Sequence, residues 1–244
     1  MEISWRSEQG KKTRDNRDCG GVGLRANGVL CLVLDGSSSG PTSGDFARQI
    51  IRDVVDWYVA TDEAATAENF MAQLRRAHRS LSRRFPQDSA SYVLAHIADT
   101  GPALILHAGD CLLGSHERNG PVRWFTKPHT LANPIGEVPI DEIARSPAGN
   151  RLTRSFRARE FIPAEVNRIT AELGKSFVAA TDGFWAELTA GEQATFLQGD
   201  DLAITAEGDD RSALQIERPH EQGAKIQFRR DAATNLYIKN LGES

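Results

Sequence analysis

Two strongly apolar segments of this 244-residue chain each end in the dipeptide Asp-Gly. The first, "GVLCLVLDG", ends at Asp35-Gly36, and the second, "KSFVAATDG", ends at Asp182-Gly183. Short runs rich in Val and Leu and bounded by Gly or Asp are typical of buried strands. An unpaired carboxylate inside a packed sheet would be costly to desolvate, so we expect both aspartates at the rim where the strands end.

Further acidic residues follow the same pattern. "GDD" at 208–210 opens the strand-like run 212–217, and Asp18 in "RDNRD" precedes the strand-like run 28–35. Several carboxylates that converge at one rim can share Mg²⁺ or Mn²⁺, which prefer oxygen ligands. A glycine after the aspartate lets the chain turn and leaves a carbonyl exposed for coordination. The pattern therefore predicts a cation site, and a plain turn after each strand is the alternative for either pair.

The order of the elements favours an α+β fold with antiparallel sheets and segregated helices, because strands and helices do not alternate regularly. We find no repeat and no low-complexity linker, and expect one domain over residues 1–244. Strands are predicted at 28–35, 91–98, 103–109, 175–182 and 212–217, and amphipathic helices at 43–60, with Ser43 as N-cap, and 66–85. A further helix is predicted to open at Pro163, and "TAGE" at 189–192 fits a capping box.

Composition excludes several classes of function. The net charge of −4 provides no basic field for nucleic acid. No apolar run approaches the ~20 residues of a membrane helix, and the polar N-terminus has no signal-peptide core. The three cysteines are widely spaced and suit a reducing compartment. We therefore expect a cytoplasmic protein that binds neither nucleic acid nor membrane.

Seven segments, taken in order, resemble the successive motifs of a known family. They are "RDNRD", "VLDG", "DSASYVLAHI", "LHAGDCLLG", "LTRSF", "AATDGFWAEL" and "GDDRSALQI", which span about residues 14–217. The chain is similar in these segments to the metal-dependent protein phosphatases (PPM, protein phosphatase 2C-like) of bacterial type. The resemblance implies a central antiparallel β-sandwich flanked by helices, in four layers α-β-β-α.

The resemblance also implies an activity, the hydrolysis of phosphoserine and phosphothreonine by a metal-activated water at a centre of Mn²⁺ or Mg²⁺. The substrate would be a phosphorylated protein, the target of a Ser/Thr kinase in signalling. By the same resemblance, Arg14 would contact the phosphate. The implied metal-site residues are Asp35 as bridging ligand, the Gly36 carbonyl, Asp182, Asp209, Asp18 through bound waters, and Asp88 for a third ion.

The sequence departs from the family pattern in the first motif. Thr13 stands where the family has its phosphate-binding arginine, so Arg14 takes that role only through a shifted backbone. Arg17 replaces a glutamate that ligates the second metal in many members, and Ser37 replaces a histidine. Asp200 is the alternative to Asp209 as the last acidic ligand. These departures keep a second interpretation open, a weak or inactive phosphatase fold that acts as a binding or regulatory module.

A serine hydrolase is the other enzyme class that the sequence suggests. "GSSSG" fits G-x-S-x-G with Ser38 as nucleophile, followed by Asp182 and His220 in the chain order of α/β-hydrolases. That motif needs a helix directly after the serine, whereas the predicted helix begins only near residue 44. "GVGLRA" at 21–26 precedes a strand instead of following one, which argues against dinucleotide binding.

Overall fold

A computed structural model describes residues 1–116, 120–170, 176–202, 208–217, 227–230 and 234–240. Numbered along the chain, its strands are β1 (Glu2–Glu8), β2 (Asp18–Arg25), β3 (Gly28–Gly36), β4 (Ser89–Ala98), β5 (Ala103–Ala108), β6 (Leu112–His116), β7 (Arg123–Trp124), β8 (Phe156–Arg157), β9 (Glu165–Ile169), β10 (Ser176–Ala180), β11 (Arg211–Glu217), β12 (Gln227–Arg230) and β13 (Leu236–Asn240). The helices are α1 (Ser43–Ala60), α2 (Ala67–Leu81), α3 (Ile140–Arg145), α4 (Asp182–Trp185) and α5 (Ala190–Gln198).

The strands form two stacked sheets. One has the order β12-β1-β11-β10-β6-β7, and the other β13-β2-β3-β4-β5-β9, with β8 paired to β4. The pairings are antiparallel except for β1 with β12 and β2 with β13, which are parallel. A buried apolar core fills the space between the sheets and includes Trp5, Val33, Ile105, Phe177 and Leu214.

Helices cover the outer faces of both sheets. The apolar stripe of α1, with Phe46, Ile50 and Val54, packs with α2 against the sheet that contains β3 and β4. On the opposite side, Phe184 and Phe196 of α4 and α5 pack against the other sheet. The layers are therefore α-β-β-α, which confirms the predicted fold class. None of the described helices is long and apolar enough to cross a membrane.

Some local predictions are confirmed and others are wrong. The capping box is present, with Thr189 and Glu192 bonded to each other's backbone N–H at the start of α5. Ser43 is the first residue of α1 and Thr42 the N-cap. The helix predicted from Pro163 is wrong, because residues 165–169 form β9 along the edge of β5. The unpaired backbone groups of that edge offer hydrogen bonds that outweigh a weak local helix preference. Residues 171–175 lie outside the described residues.

The N-terminal strands β1 and β2 were not expected from the sequence. Their main consequence concerns Asp18, which does not precede the sheet but is the first residue of β2. In the antiparallel pairing of β2 with β3, Asp18 lies directly opposite Asp35. Pairing between two segments of the chain thus places the first-motif aspartate beside the strand-end aspartate.

Candidate metal centre

The ends of strands from both sheets meet at one rim. Asp35 is the second-to-last residue of β3 and lies beside Asp18, while Asp182 follows β10 of the other sheet as the first residue of α4. Thr181 connects the two sheets, because its Oγ1 donates a hydrogen bond of 2.8 Å to Asp18 Oδ2. The same Oγ1 accepts a bond of 3.0 Å from the backbone N–H of Ser212 in β11.

The Asp18 carboxylate is completely buried, and its two oxygens differ. Thr181 holds Oδ2, whereas Oδ1 is buried without a hydrogen-bond partner among the described residues. A buried carboxylate oxygen without a partner is unfavourable by about 1–3 kcal/mol or more. This oxygen is therefore suited to a ligand that supplies positive charge or a hydrogen-bond donor.

Asp35 and Asp182 are partly buried, and we find no hydrogen bond to either carboxylate within the described part of the chain. Burial raises the pKa of both carboxyl groups well above the ordinary value, and neighbouring carboxylates raise it further. Burial and the Asp210 carboxylate do the same to the pKa of Asp18. The rim is thus a cluster of negative charges that favours either protons or bound cations.

Asp209 adds its charge to this cluster and pairs with a lysine. Lys12 Nζ is 2.9 Å from Asp209 Oδ2 and 3.3 Å from Glu187 Oε1. Burial opposes the charged form of Lys12, but the hydrogen bond and charge of Asp209 outweigh it and raise the lysine pKa. Lys12 therefore brings a permanent positive charge into the centre. Sequence reasoning missed this residue, since no pattern marks it.

The acidic pair of the last motif has two separate roles. Asp209 faces Lys12, whereas Asp210 accepts hydrogen bonds from the backbone N–H groups of Gly10 at 2.8 Å and Arg17 at 2.7 Å. Asp210 thereby fixes the segment that carries Lys12 and Arg17 against the start of β11. The structure places the alternative candidate, Asp200, in an exposed position after the C-terminus of α5.

The two arginines of the first motif have different surroundings. Arg17 donates through one terminal nitrogen to the carbonyls of Ser37 at 2.7 Å and Gly40 at 2.8 Å. Its Nε lies 3.5 Å from Asp15 Oδ1, so its charge is directed at the bend after β3. Arg14 is exposed. Ser38 of the hydrolase motif is exposed in that same bend, and His220 lies outside the described residues.

Asp110 is a candidate functional residue to which sequence reasoning assigned no role. It follows β5, is buried, and accepts a hydrogen bond of 2.6 Å from Ser91, which lies opposite Asp35 in the β3–β4 pairing. Its own carbonyl accepts a bond of 2.8 Å from Trp185 Nε1. Burial raises the pKa of Asp110, as it does for the neighbouring aspartates. The "AGD" segment contained the signal that could have identified it.

Asp88, predicted to bind a third ion, lies at the N-terminus of α1. Its Oδ1 accepts from Thr42 N at 2.9 Å and Ser43 Oγ at 3.0 Å, and its Oδ2 accepts from Thr42 Oγ1 at 2.8 Å. Both oxygens thus satisfy groups at the start of the helix, where a negative charge is also favourable. A role for Asp88 in metal binding stays a prediction.

Both Asp-Gly pairs have a steric reason for glycine. A Cβ atom at Gly183 would lie 2.1 Å from the Asp210 carbonyl oxygen, and one at Gly36 would lie 2.5 Å from the Ser43 carbonyl oxygen. Neither separation is possible without moving the backbone. Gly183 therefore lets the segments of Asp182 and Asp210 approach each other, and Gly36 lets the end of β3 pack against the start of α1, whatever the Gly36 carbonyl binds.

The chemistry of this rim fits divalent cations. It offers hard oxygen donors, an orphaned oxygen on Asp18, and the unpaired carboxylates of Asp35 and Asp182. In the described part of the chain, one group of three metal-ligating side chains has donor atoms that all lie within 4.8 Å of one another. That group belongs to a different cluster. Among the described residues, no three rim carboxylates offer donor atoms that lie this close to one another.

Comparison with solved structures gives extensive agreement over the whole fold. The S. agalactiae serine/threonine phosphatase superposes with a TM-score of 0.73 at 17% identity, covering 88% of this chain and 98% of that one. The Mycobacterium tuberculosis serine/threonine phosphatase PstP/Ppp gives a TM-score of 0.70 at 15% identity, covering 90% and 98%. The chain has the PPM phosphatase fold. No family model and no curated protein matches the sequence.

The PPM-type neighbours include one described with metal. The catalytic domain of PstP, solved in complex with two manganese ions, has a TM-score of 0.66 at 15% identity and covers 87% of this chain and 96% of its own. At this level of identity the agreement concerns the fold.

Proposed function

We propose that this chain is a metal-dependent phosphatase of phosphoserine and phosphothreonine in proteins, a member of the PPM family with one phosphatase domain over residues 1–244. The observation that carries the proposal is the meeting of Asp18, Asp35 and Asp182 from two sheets at one rim, with an orphaned oxygen on Asp18. Structural carboxylates are normally hydrogen-bonded, whereas those of Asp35 and Asp182 have no hydrogen bond among the described residues. The fold of the neighbours supports the same conclusion.

When bound at this rim, two Mn²⁺ or Mg²⁺ ions supply a water of lowered pKa and positive charge for the phosphoryl oxygens. The residues that would hold them are Asp35, the Gly36 carbonyl, Asp182 and Asp209, with Asp18 acting through water. Thr181 fixes the orientation of Asp18 through its 2.8 Å hydrogen bond to Oδ2 and leaves Oδ1 available to a bound water. Asp110 and Asp88 are the candidates for a third ion.

Arg14 is the proposed contact for the substrate phosphate. Its guanidinium is exposed, whereas that of Arg17 is engaged with the carbonyls of Ser37 and Gly40. A guanidinium presents paired donors that match two phosphoryl oxygens. We propose a phosphorylated protein modified by a Ser/Thr kinase as partner, and a cytoplasmic location.

The test is hydrolysis of p-nitrophenyl phosphate and of a phosphothreonine peptide by chelator-treated protein with Mn²⁺ or Mg²⁺ added back. Turnover should require the ion, and Asp182→Asn should reduce it by a factor of 100 or more, a loss of about 3 kcal/mol of transition-state stabilisation. Asp141→Asn on the exposed face of α3 is the matched control and should retain wild-type turnover. Metal-independent turnover, or full activity in Asp182→Asn, would contradict the proposal.

Lys12 and Arg17 favour a second candidate, a binding module with the same fold. Lys12 already neutralises part of the charge at Asp209, and Arg17 stands in the position of an expected acidic ligand. A module of this kind would bind the phosphothreonine peptide without hydrolysing it at any metal concentration. Measuring peptide binding alongside turnover separates the two candidates.

A further inference from the structure

A second cluster of metal-ligating side chains lies outside the carboxylate rim. It consists of His107 in β5, His129 in the segment between β7 and α3, and Glu165 in β9. One ligand atom from each lies within 4.8 Å of the others. His107 and Glu165 are directly opposite in the β5–β9 pairing, so the sheet itself fixes two of the three positions.

The hydrogen bonds of His107 leave one ring nitrogen free. His107 is completely buried, and its Nε2 lies 3.2 Å from the Lys127 carbonyl oxygen, to which only a protonated Nε2 can donate. That tautomer puts a lone pair on Nδ1, and Nδ1 is buried without a partner among the described residues. A histidine that donates one N–H to a backbone carbonyl and presents the other nitrogen is the usual arrangement of a metal ligand.

His129 is held in a comparable way. Its Nδ1 lies 3.3 Å from both the N–H and the carbonyl of Gly109, so the backbone accommodates either tautomer. Its Nε2 lies 3.1 Å from Glu165 Oε2. Ligands at about 2.0–2.1 Å in tetrahedral geometry are separated by about 3.3–3.4 Å, close to this distance. The His107 and His129 rings stack with centroids 4.5 Å apart.

The protonation states also suit metal binding. Burial, reinforced by His129, lowers the pKa of His107 to about 4, and burial also lowers the pKa of His129. Both imidazoles are therefore neutral near pH 7, which is the form that ligates metals. Burial opposes ionisation of Glu165, but hydrogen bonds from Asn167 and His129 outweigh it and lower its pKa.

We propose that His107, His129 and Glu165 form a Zn²⁺ site, separate from the carboxylate rim, with a fourth position open to water. Two imidazoles and one carboxylate suit Zn²⁺ better than the oxygen-preferring Mg²⁺. The Glu165 side chain is 49% exposed, so it can move the short distance needed to complete the site. The ion would tie β5, β9 and the His129 segment together, next to the Gly109–Asp110 turn that leads into the rim.

The experiment is a Co²⁺ titration of the full chain after removal of metals, with excess Mg²⁺ present to occupy the carboxylate rim. Co²⁺ bound by two imidazoles and a carboxylate in low coordination absorbs far more strongly in the visible range than six-coordinate Co²⁺ bound by oxygen alone. We expect one equivalent of Co²⁺ to give that absorption and Zn²⁺ to abolish it. Glu165→Gln and His129→Gln should weaken binding tenfold or more.

His116→Gln on β6 is the matched control and should retain the signal, as should Asp35→Asn, in which the rim is altered. Circular dichroism checks that each variant is folded, and the exposed position of Glu165 makes its variant the most secure. Absence of the absorption in wild type, or its survival in both Glu165→Gln and His129→Gln, would overturn the proposal. Because the readout is metal binding, the result is independent of whether the chain hydrolyses phosphoesters.

Discussion

Asp35→Asn should stabilise the protein when no metal is bound. Asp35 and Asp18 are directly opposite in the β2–β3 pairing, and both carboxyl groups have pKa values raised by burial and by neighbouring carboxylates. In the metal-free protein, when both groups are ionised, these charges repel each other and lack the solvation that they have in the unfolded chain. Asparagine has nearly the same shape and removes one of the charges.

The size of the effect follows from the cross-strand geometry. Directly opposite residues have Cβ atoms about 5 Å apart, and two unit charges at that distance repel by about 3 kcal/mol at an effective dielectric constant of 20. Asp35 is partly exposed, so solvent screening reduces this to about 1–2 kcal/mol. At roughly 2–4 °C per kcal/mol for a chain of this size, Tm should rise by about 2–8 °C.

The assay is thermal unfolding of wild type and Asp35→Asn with a chelator, and again with saturating Mn²⁺. With Mn²⁺ the order should reverse, because a ligand at 100 times its Kd stabilises wild type by about 2.7 kcal/mol and the variant lacks a ligand for it. Asp141→Asn, which breaks a surface ion pair on α3, should leave Tm nearly unchanged in both conditions. If Asp35→Asn melts at or below wild type in chelator, the carboxylates do not repel as argued.

Three further outcomes test the same centre. The stability gap between metal-free Asp35→Asn and wild type should be largest above the raised pKa of Asp35, and should close as the pH falls toward the ordinary carboxyl pKa of about 3.9. Because its pKa is raised, Asp35 of the folded wild type takes up a proton as the pH falls, and the wild type regains stability. Buried His96 and His107 have lowered pKa values and destabilise the fold as the pH falls, but they do so equally in both proteins. Lys12→Met should tighten Mn²⁺ binding about tenfold, measured by calorimetry, because it removes a cation 2.9 Å from Asp209. An unchanged affinity would mean that the ions bind elsewhere. Thr181→Val should lower the free energy of unfolding by about 1–3 kcal/mol in urea, because Asp18 loses its hydrogen-bond donor, while Thr181→Ser should retain most of it.

The tertiary structure determined what the sequence could not. The positions of Lys12 and Arg17 depend on the Asp210 carboxylate, which accepts hydrogen bonds from the backbone N–H groups of Gly10 and Arg17 and so holds their segment at the start of β11. Asp110 reaches the rim through Ser91, and β9 forms where the helix from Pro163 was expected because the edge of β5 was there to pair with it. The His107 and Glu165 pairing arises from the same edge, and no spacing in the sequence indicates it.

The sequence by itself determined the α+β class, the buried strands and the rim positions of Asp35 and Asp182, because strand periodicity and the cost of burying a charge act locally. It also marked the Asp-Gly pairs. Only the tertiary structure gave the steric reason for the glycines, which is the close backbone contact at Gly36 and at Gly183. Contacts between distant segments decide which charges face each other. They also decide which carboxylates have hydrogen-bond partners and which do not. Those contacts form only when the two sheets and their helices pack together, and they decide the chemistry of the rim.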